Sequence, residues 1–378
     1  MKLVILTNIL APYRIPLFEE IARRVEDLTI LLMAERHENR EWVLPDHQLK
    51  VITLPGVHLQ PPGHQVPLHA NYGVIRILRR LRPDLVLSGG FAPANILSFI
   101  YCKCFGAKFV GWGEITLQDI SAGSPLRRAL RRWLIAQADG AVASSRVAED
   151  AFLKSGADRE RTLLSVMPID VKFFWEKTQR FKSSAEYAEM RRSFVGPVLL
   201  SVGRVVKMKG YEELFRIYQL VLHTFPMACL LIVGDGSDRS AYEEFCQTNG
   251  WKNVSFAGYV QMRDLPRYLA LGDLFIFHTL YDPFGAVLSE AMAAGLPVVS
   301  SIHAAATQDL IEEGVTGVSI DPMNAEASAK KVLEVLSMSP EERTRVGQAA
   351  HEKVRQYDIA ATADAMTQFL ETIHRSQS

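Results

Sequence analysis

Two cations lie five residues apart in a segment that could bind phosphate. A run of apolar residues that reads as a buried strand ends at Gly203, and Arg204 and Lys209 follow it. An arginine can contact phosphate oxygens through two N–H groups, and a lysine supplies a compact positive charge. The segment therefore predicts a diphosphate site. The same residues could also form an ordinary solvated basic loop, which is the interpretation we prefer for Lys207.

Two acidic residues, separated by seven others, flank the predicted start of a helix about 80 residues after the basic segment. They are Asp282 and Glu290. The free N–H groups at Phe284, Gly285 and Ala286 suit an anionic diphosphate, and a glycine lets the backbone approach a ligand closely. Glu290 lies about 8 Å along the helix, at 1.5 Å per residue, where a carboxylate can reach a ribose diol. The alternative is an ordinary helix start with one surface carboxylate.

Together these segments resemble the signature of the family 4 retaining glycosyltransferases, whose fold is called GT-B. The acidic pair is followed by the family's Ala-Met-Ala, Gly and Leu-Pro-Val-Val run at 291–299. The resemblance is firm over about 195–325 and looser before it. It implies that Arg204 and Lys209 stabilise the leaving diphosphate without a metal, and that Glu290 holds the ribose. Asp282, where the family usually has Glu, would orient the donor sugar.

Weaker parts of the resemblance concern the nucleotide base and the first half of the chain. Tyr259 and Val260 follow a strand like the one that holds the base in the family, and Gly234-Asp235-Gly236 resembles a tight turn. Glu114 stands in a Trp-Gly-Glu segment where many relatives have a histidine, and it is implied to contact the sugar. Further candidates in this half are Tyr13, Arg14 and Gly90.

The elements that must position these residues form two similar series. Short, continuously apolar runs alternate with amphipathic stretches, first over residues 1–168 and again over 194–357. This pattern predicts parallel sheets with helices on both faces. We therefore predict an α/β protein with two Rossmann-like domains facing each other across a cleft. The first would bind the acceptor and be completed by a C-terminal helix at about 358–378; residues 169–193 would be a linker with a surface helix.

Composition limits the classes of partner that the protein is expected to bind. Lys plus Arg and Asp plus Glu are 42 each, which argues against a nucleic-acid binder. Residues 1–165 nevertheless carry 21 basic and 16 acidic side chains. A predicted helix over 124–135 has arginine pairs opposite Leu130 and Leu134, and more arginines lie at 76–82. Such helices can lie on an anionic membrane, although a solvated face is equally consistent.

Further features place the protein in the cytoplasm, with contact at the inner face of the membrane as an option. The spacing of the four cysteines matches no metal site, and reduced thiols are the simpler interpretation. The first apolar run, Leu3–Thr7, reads as a buried strand rather than a secretion signal. No apolar run reaches the length of a membrane-spanning helix.

The predicted function is transfer of a hexose, with retained configuration, from a UDP- or GDP-sugar to a glycan or lipid-linked acceptor. The setting would be bacterial surface polysaccharide synthesis, such as that of lipopolysaccharide, and no cofactor beyond the nucleotide-sugar substrate is expected. Two alternatives stay open: a nucleotide-sugar epimerase of the same fold, and a nucleotide-sugar-binding protein without turnover. A dehydrogenase is disfavoured because the dinucleotide fingerprint is missing.

Overall fold

The computed structural model describes residues 1–37, 42–59 and 68–376, and the chain divides into two compact units. Unit 1 comprises Met1–Pro168 and Ile359–Ser378, and unit 2 comprises Ile169–Asp358. Both are Rossmann-like α/β units, as the alternating pattern predicted. No helix among the described residues combines the length and apolar character needed to cross a bilayer.

Unit 1 is built on a parallel sheet of seven strands and a separate antiparallel pair. The sheet order is β3-β2-β1-β6-β7-β8-β9, and β4 pairs with β5. Each run expected to be a strand in this half is part of the parallel sheet. The antiparallel pair was missed because its strands are short and largely exposed. The strands are β1 Lys2–Thr7, β2 Asp27–Leu32, β3 Lys50–Thr53, β4 Gly56–Leu59, β5 Leu68–Asn71, β6 Leu85–Gly89, β7 Lys108–Gly113, β8 Gly140–Ala143 and β9 Thr162–Leu164.

Helices cover both faces of this sheet. Those of unit 1 are α1 Ile15–Ala22, α2 Val74–Leu81, α3 Pro93–Phe105, α4 Leu117–Ser121, α5 Pro125–Gln137, α6 Arg146–Lys154 and, from the end of the chain, α16 Ile359–Arg375. On one face, α1 and α16 pack over alternate strand residues such as Leu3 and Ile5. On the other face, α2, α3 and α5 pack over the intervening residues, such as Val4 and Leu6. The two-residue period of a strand divides its side chains between these layers.

Unit 2 has a six-stranded parallel sheet in the order β12-β11-β10-β13-β14-β15. Its strands match the predicted apolar runs: β10 Val198–Val202, β11 Cys229–Val233, β12 Val254–Gly258, β13 Leu274–Phe277, β14 Val298–Ser301 and β15 Val318–Ile320. The strand order reverses between β10 and β13, which lie side by side at the centre of the sheet. Crevices at such a reversal are where α/β sheets bind ligands.

The helices of unit 2 include the segment that the sequence suggested would be a linker. They are α7 Val171–Lys182, α8 Ala185–Arg192, α9 Tyr211–Thr224, α10 Arg239–Thr248, α11 Leu265–Leu269, α12 Ala286–Ala293, α13 Ala305–Leu310, α14 Ala325–Leu336 and α15 Pro340–Arg355. The linker prediction is wrong for most of 169–193, because α7 packs against α11, α12 and α15. Its buried Phe174 and Phe181 lie seven residues apart, about two helical turns, and therefore share the packed face of α7. In the sequence this spacing is hidden among charged neighbours.

Candidate functional site

The predicted phosphate-binding segments of unit 2 meet at the reversal of strand order. The loop after β10 carries Arg204 and leads through a 3-10 turn, Lys207–Lys209, into α9. The loop after β13 carries Asp282 and leads to Gly285 and α12. Because β10 and β13 are adjacent and parallel, both loops leave the same edge of the sheet. The structure thus brings together two motifs about 80 residues apart in sequence.

Lys209 and Asp282 form an ion pair at this edge. The Lys209 ammonium donates to Asp282 Oδ2 at 2.6 Å, and it lies 3.4 Å from the carbonyl oxygen of Tyr281. The two charged side chains are only 15% and 18% exposed. The other carboxylate oxygen of Asp282 accepts the backbone N–H of Phe284 at 3.1 Å. The lysine charge therefore has a fixed position beside the start of α12.

The loop between β13 and α12 depends on Gly285. Its φ of 97° lies in the left-handed region, and a Cβ there would stand 2.5 Å from Phe277 Cε1. The Asp282 N–H donates to the His303 carbonyl at 3.1 Å, and the Asp282 carbonyl accepts from the Ala305 N–H at 3.2 Å. These hydrogen bonds tie the same loop to the segment that follows β14. A side chain at residue 285 would therefore displace the helix start, whose dipole and N–H groups attract anions.

Glu290 lies on the second turn of α12 and is half-buried. Burial raises the pKa of this carboxyl from its ordinary value of 4.5 to about 7. Among the residues that the structure describes, no side chain forms a hydrogen bond or ion pair with Glu290. A desolvated carboxyl of this kind is available to accept hydrogen bonds from a ligand hydroxyl.

The turn Gly234-Asp235-Gly236 packs against the backbone of the loop that carries Arg204. A Cβ on Gly234 would lie 1.9 Å from the carbonyl oxygen of Gly203, and one on Gly236 would lie 2.3 Å from that of Val205. The Val205 N–H donates to the carbonyl of Asp235 at 2.9 Å. Both glycines are required because two backbones pass at a distance that leaves no room for a side chain. This explains a turn that the sequence indicated only by resemblance.

His278 is a positioning residue that sequence reasoning missed. It follows β13 directly, is buried, and lies 3.0 Å from the Gly210 carbonyl through Nδ1 and 2.8 Å from Ser201 Oγ through Nε2. Since a carbonyl only accepts, Nδ1 carries the proton and Nε2 accepts from Ser201. Burial lowers the pKa of His278 to about 4. A neutral imidazole thus joins β10 to the turn that carries Lys209, and the only signal was a polar residue ending a buried strand.

Other predicted residues of unit 2 lie at the same edge but in separate loops. Tyr259 and Val260 follow β12, two strands away from β10, and both are half-buried. The N–H of Gly234 donates to the Gly258 carbonyl at 2.8 Å, which joins their loop to the glycine turn. The side chain of Lys207 is 81% exposed, in agreement with a surface role.

Three of the four candidates of unit 1 form a second cluster. Arg14 Nη2 donates to Glu114 Oε1 at 2.5 Å, and its guanidinium lies 4.4 Å from the centre of the Trp112 ring. With Tyr13 they line a small pocket at the carboxyl ends of β1 and β7. Gly90 follows β6 with a φ of 100° and does not line this pocket. The sequence suggested each residue separately but not the ion pair, which places a cation and a carboxylate beside an aromatic ring.

The C-terminal part of the chain is similar to known glycosyltransferases. Residues 194–353 match the family model of glycosyl transferases, group 1. An uncharacterised glycosyltransferase of Methanocaldococcus jannaschii is 32% identical over 169 residues, covering 44% of this chain and 42% of that protein. The lipopolysaccharide core biosynthesis glycosyltransferase LpsE of Rhizobium meliloti is 31% identical over 176 residues, covering 46% and 49%. The chain thus aligns with less than half the length of these relatives.

The fold is shared over nearly the whole chain. The crystal structure of Anabaena HepE has a TM-score of 0.76 at 19% identity, over 98% of this chain and 100% of that one. These findings confirm the resemblance noted from the sequence at the level of a GT-B glycosyltransferase. The match to the model of glycosyl transferases, group 1, lies within unit 2. Assignment to family 4 in particular stays a prediction.

Proposed function

We propose that the protein is a retaining glycosyltransferase that takes a hexose from a UDP- or GDP-sugar. The acceptor would be a glycan or lipid-linked sugar of a bacterial surface polysaccharide. The observation that carries the proposal is the meeting of Lys209, Asp282 and the α12 terminus at the reversal of strand order in unit 2. LpsE, by its name, acts in lipopolysaccharide core synthesis, and HepE has been crystallised with UDP and with UDP-glucose.

Charge accounts for the proposed role of each residue in the donor site. When the bond between the sugar C1 and the diphosphate oxygen breaks, negative charge develops on the leaving nucleoside diphosphate. Arg204, Lys209 and the N–H groups at the start of α12 would stabilise that charge in the transition state. Preformed positions matter here, because groups that are already oriented need no reorganisation as the bond breaks. The ion pair between Lys209 and Asp282 holds the lysine ammonium in such a preformed position.

The carboxylates would bind the neutral parts of the donor. Glu290 would accept hydrogen bonds from the ribose hydroxyls, and Asp282, held by Lys209 and the Phe284 N–H, would orient the sugar hydroxyls. Asp is one methylene shorter than the family's usual Glu, which would alter the accepted sugar. Glu114, paired with Arg14, would contact a sugar from unit 1. The base would lie against the Tyr259-Val260 turn.

The test is turnover of individual donors, followed by NMR spectroscopy. UDP- and GDP-hexoses would be incubated with the protein and with simple glycosides or lipid-linked sugars as acceptors. The expected result is release of one nucleoside diphosphate and a product with the anomeric configuration of the donor. An inverted product would contradict retention. Conversion of the donor into its epimer without an acceptor would identify the epimerase, and binding without any turnover would identify a nucleotide-sugar-binding protein.

A further inference from the structure

Three helices on one face of unit 1 carry cations but no acidic residues. The helices α2, α3 and α5 pack on the same face of the sheet and contain no Asp or Glu. Five of their arginines are exposed and, within the described residues, form neither an ion pair nor a cation–π contact, unlike Arg79, which lies over the Phe105 ring. We call these five the cationic face: Arg76, Arg80, Arg127, Arg128 and Arg132. An ordinary solvated face mixes both signs of charge, so this surface needs another explanation.

The helix α5 adds an exposed apolar stripe to the cationic face. Leu126, Leu130 and Trp133 are spaced by four and three residues, so they share one side of the helix, and they are 79%, 37% and 52% exposed. The sequence suggested that Leu130 and Leu134 lie together opposite the arginines; only Leu134 is buried. Trp133 packs edge-on against Phe99 of α3 at 5.3 Å, which places the stripe beside that helix.

The helix that presents the stripe is firmly attached. Arg131 differs from the other arginines because it donates to the carbonyl oxygens of Asp119 at 2.8 Å and Ala122 at 2.7 Å. The Ser124 hydroxyl caps the start of the helix by accepting the Arg127 N–H. The stripe is therefore held outward by the fold, with arginines on both sides of it.

We propose that the cationic face and the α5 stripe bind the surface of an anionic lipid bilayer. Arginines near such a surface contribute about 1 kcal/mol each, and Trp and Leu side chains enter the interfacial region. A second copy of this chain would oppose arginine to arginine. A nucleic acid would satisfy the arginines but leave the leucines of the stripe in water. The bilayer matches both the charge and the apolar side chains.

This inference does not depend on the proposed sugar transfer. It would bring unit 1 to the surface where a lipid-linked acceptor lies, yet vesicle binding and donor binding are measured separately. A negative result for vesicle binding would not contradict the proposed sugar transfer, and a negative result for donor binding would not contradict the membrane contact.

The experiment is co-sedimentation of the full chain with vesicles. One set contains phosphatidylcholine only, and the other contains phosphatidylcholine with one third phosphatidylglycerol. We expect binding to the anionic vesicles and little to the neutral ones. Replacing Arg127, Arg128 and Arg132 by Gln should reduce the partition coefficient on the order of a hundredfold, since each arginine contributes about a factor of five.

Two further variants separate the surface from overall charge. A matched control replaces three exposed cations of unit 2 by Gln, namely Lys252, Lys330 and Arg345, and changes the net charge equally; it should bind like the unaltered protein. The double variant Leu126→Gln with Leu130→Gln should lose at least tenfold in binding to anionic vesicles. Vesicle binding should also shift Trp fluorescence to shorter wavelength, and Trp133→Phe should abolish most of this shift.

Three results would overturn the proposal. The first is absence of binding to anionic vesicles. The second is equal loss in the control and arginine variants, which would reduce the effect to net charge. The third is binding to RNA or heparin that the arginine variant abolishes, with no binding to vesicles; this would assign the surface to a polyanion.

Discussion

The raised pKa of Glu290 has a measurable effect on stability. A carboxyl that ionises at about 7 in the folded protein and at 4.5 in the unfolded chain keeps its proton more tightly when folded. Folding stability from this group is therefore fully present below pH 4.5 and is lost as the pH rises through about 7. The full difference corresponds to about 3 kcal/mol at 1.36 kcal/mol per pKa unit, and this is an upper limit.

The replacement Glu290→Gln removes the ionisation while keeping the shape. The variant should match the unaltered protein near pH 4.5 and exceed its free energy of unfolding by up to about 3 kcal/mol at pH 8.5. Urea titrations at several pH values, followed by fluorescence, measure this difference. A matched control is Glu334→Gln on α14, which is exposed and should show no such pH-dependent gain. A constant difference between Glu290→Gln and the unaltered protein at all pH values would refute the reasoning.

Three further predictions concern other residues of unit 2. Lys209→Ala should lower donor turnover roughly a hundredfold, whereas Lys207→Ala should stay within about twofold; steady-state kinetics tests this, and equal effects would contradict the assignment. Gly234→Ala should cost about 3 kcal/mol in urea unfolding because its Cβ meets a backbone oxygen; a neutral effect would contradict the packing. His278→Gln should remove a loss of stability that the unaltered protein shows as the pH falls from 6.5 towards 4, and an unchanged pH profile would contradict a neutral buried imidazole.

Much of the fold was predictable because its strands are buried on both faces. A strand such as Cys229–Val233 is apolar at every position and bounded by turn residues, so no tertiary information is needed to find it. The helices α7 and α8 were harder to place, since charged residues are as numerous as apolar ones in both. Whether such a segment packs depends on partners such as α11, which lie far away in sequence.

The individual residues of the candidate site were predictable, but the contacts between their side chains were not. Spacing indicated Lys209 and Asp282 separately; the 2.6 Å bond between them depends on β10 lying beside β13, which a single sequence does not specify. The pairing of His303 with Asp321 at 3.2 Å likewise left no sequence signal, because it depends on β14 lying beside β15. His278 was missed because a lone histidine after a strand is most often a packing residue.

The most direct test of the central claim is ligand-induced stabilisation with UDP, GDP, ADP, NAD and common sugar conjugates. It would be measured on the unaltered protein, on the double variant Arg204→Ala with Lys209→Ala, and on Lys207→Ala. A ligand at 100 times its dissociation constant stabilises the folded state by about 2.7 kcal/mol, which a thermal shift detects easily. We predict stabilisation by UDP or GDP and their sugars, absent in the double variant and intact in Lys207→Ala. Stabilisation by NAD alone, or by no nucleotide, would contradict a nucleotide-sugar site at the reversal of strand order in unit 2.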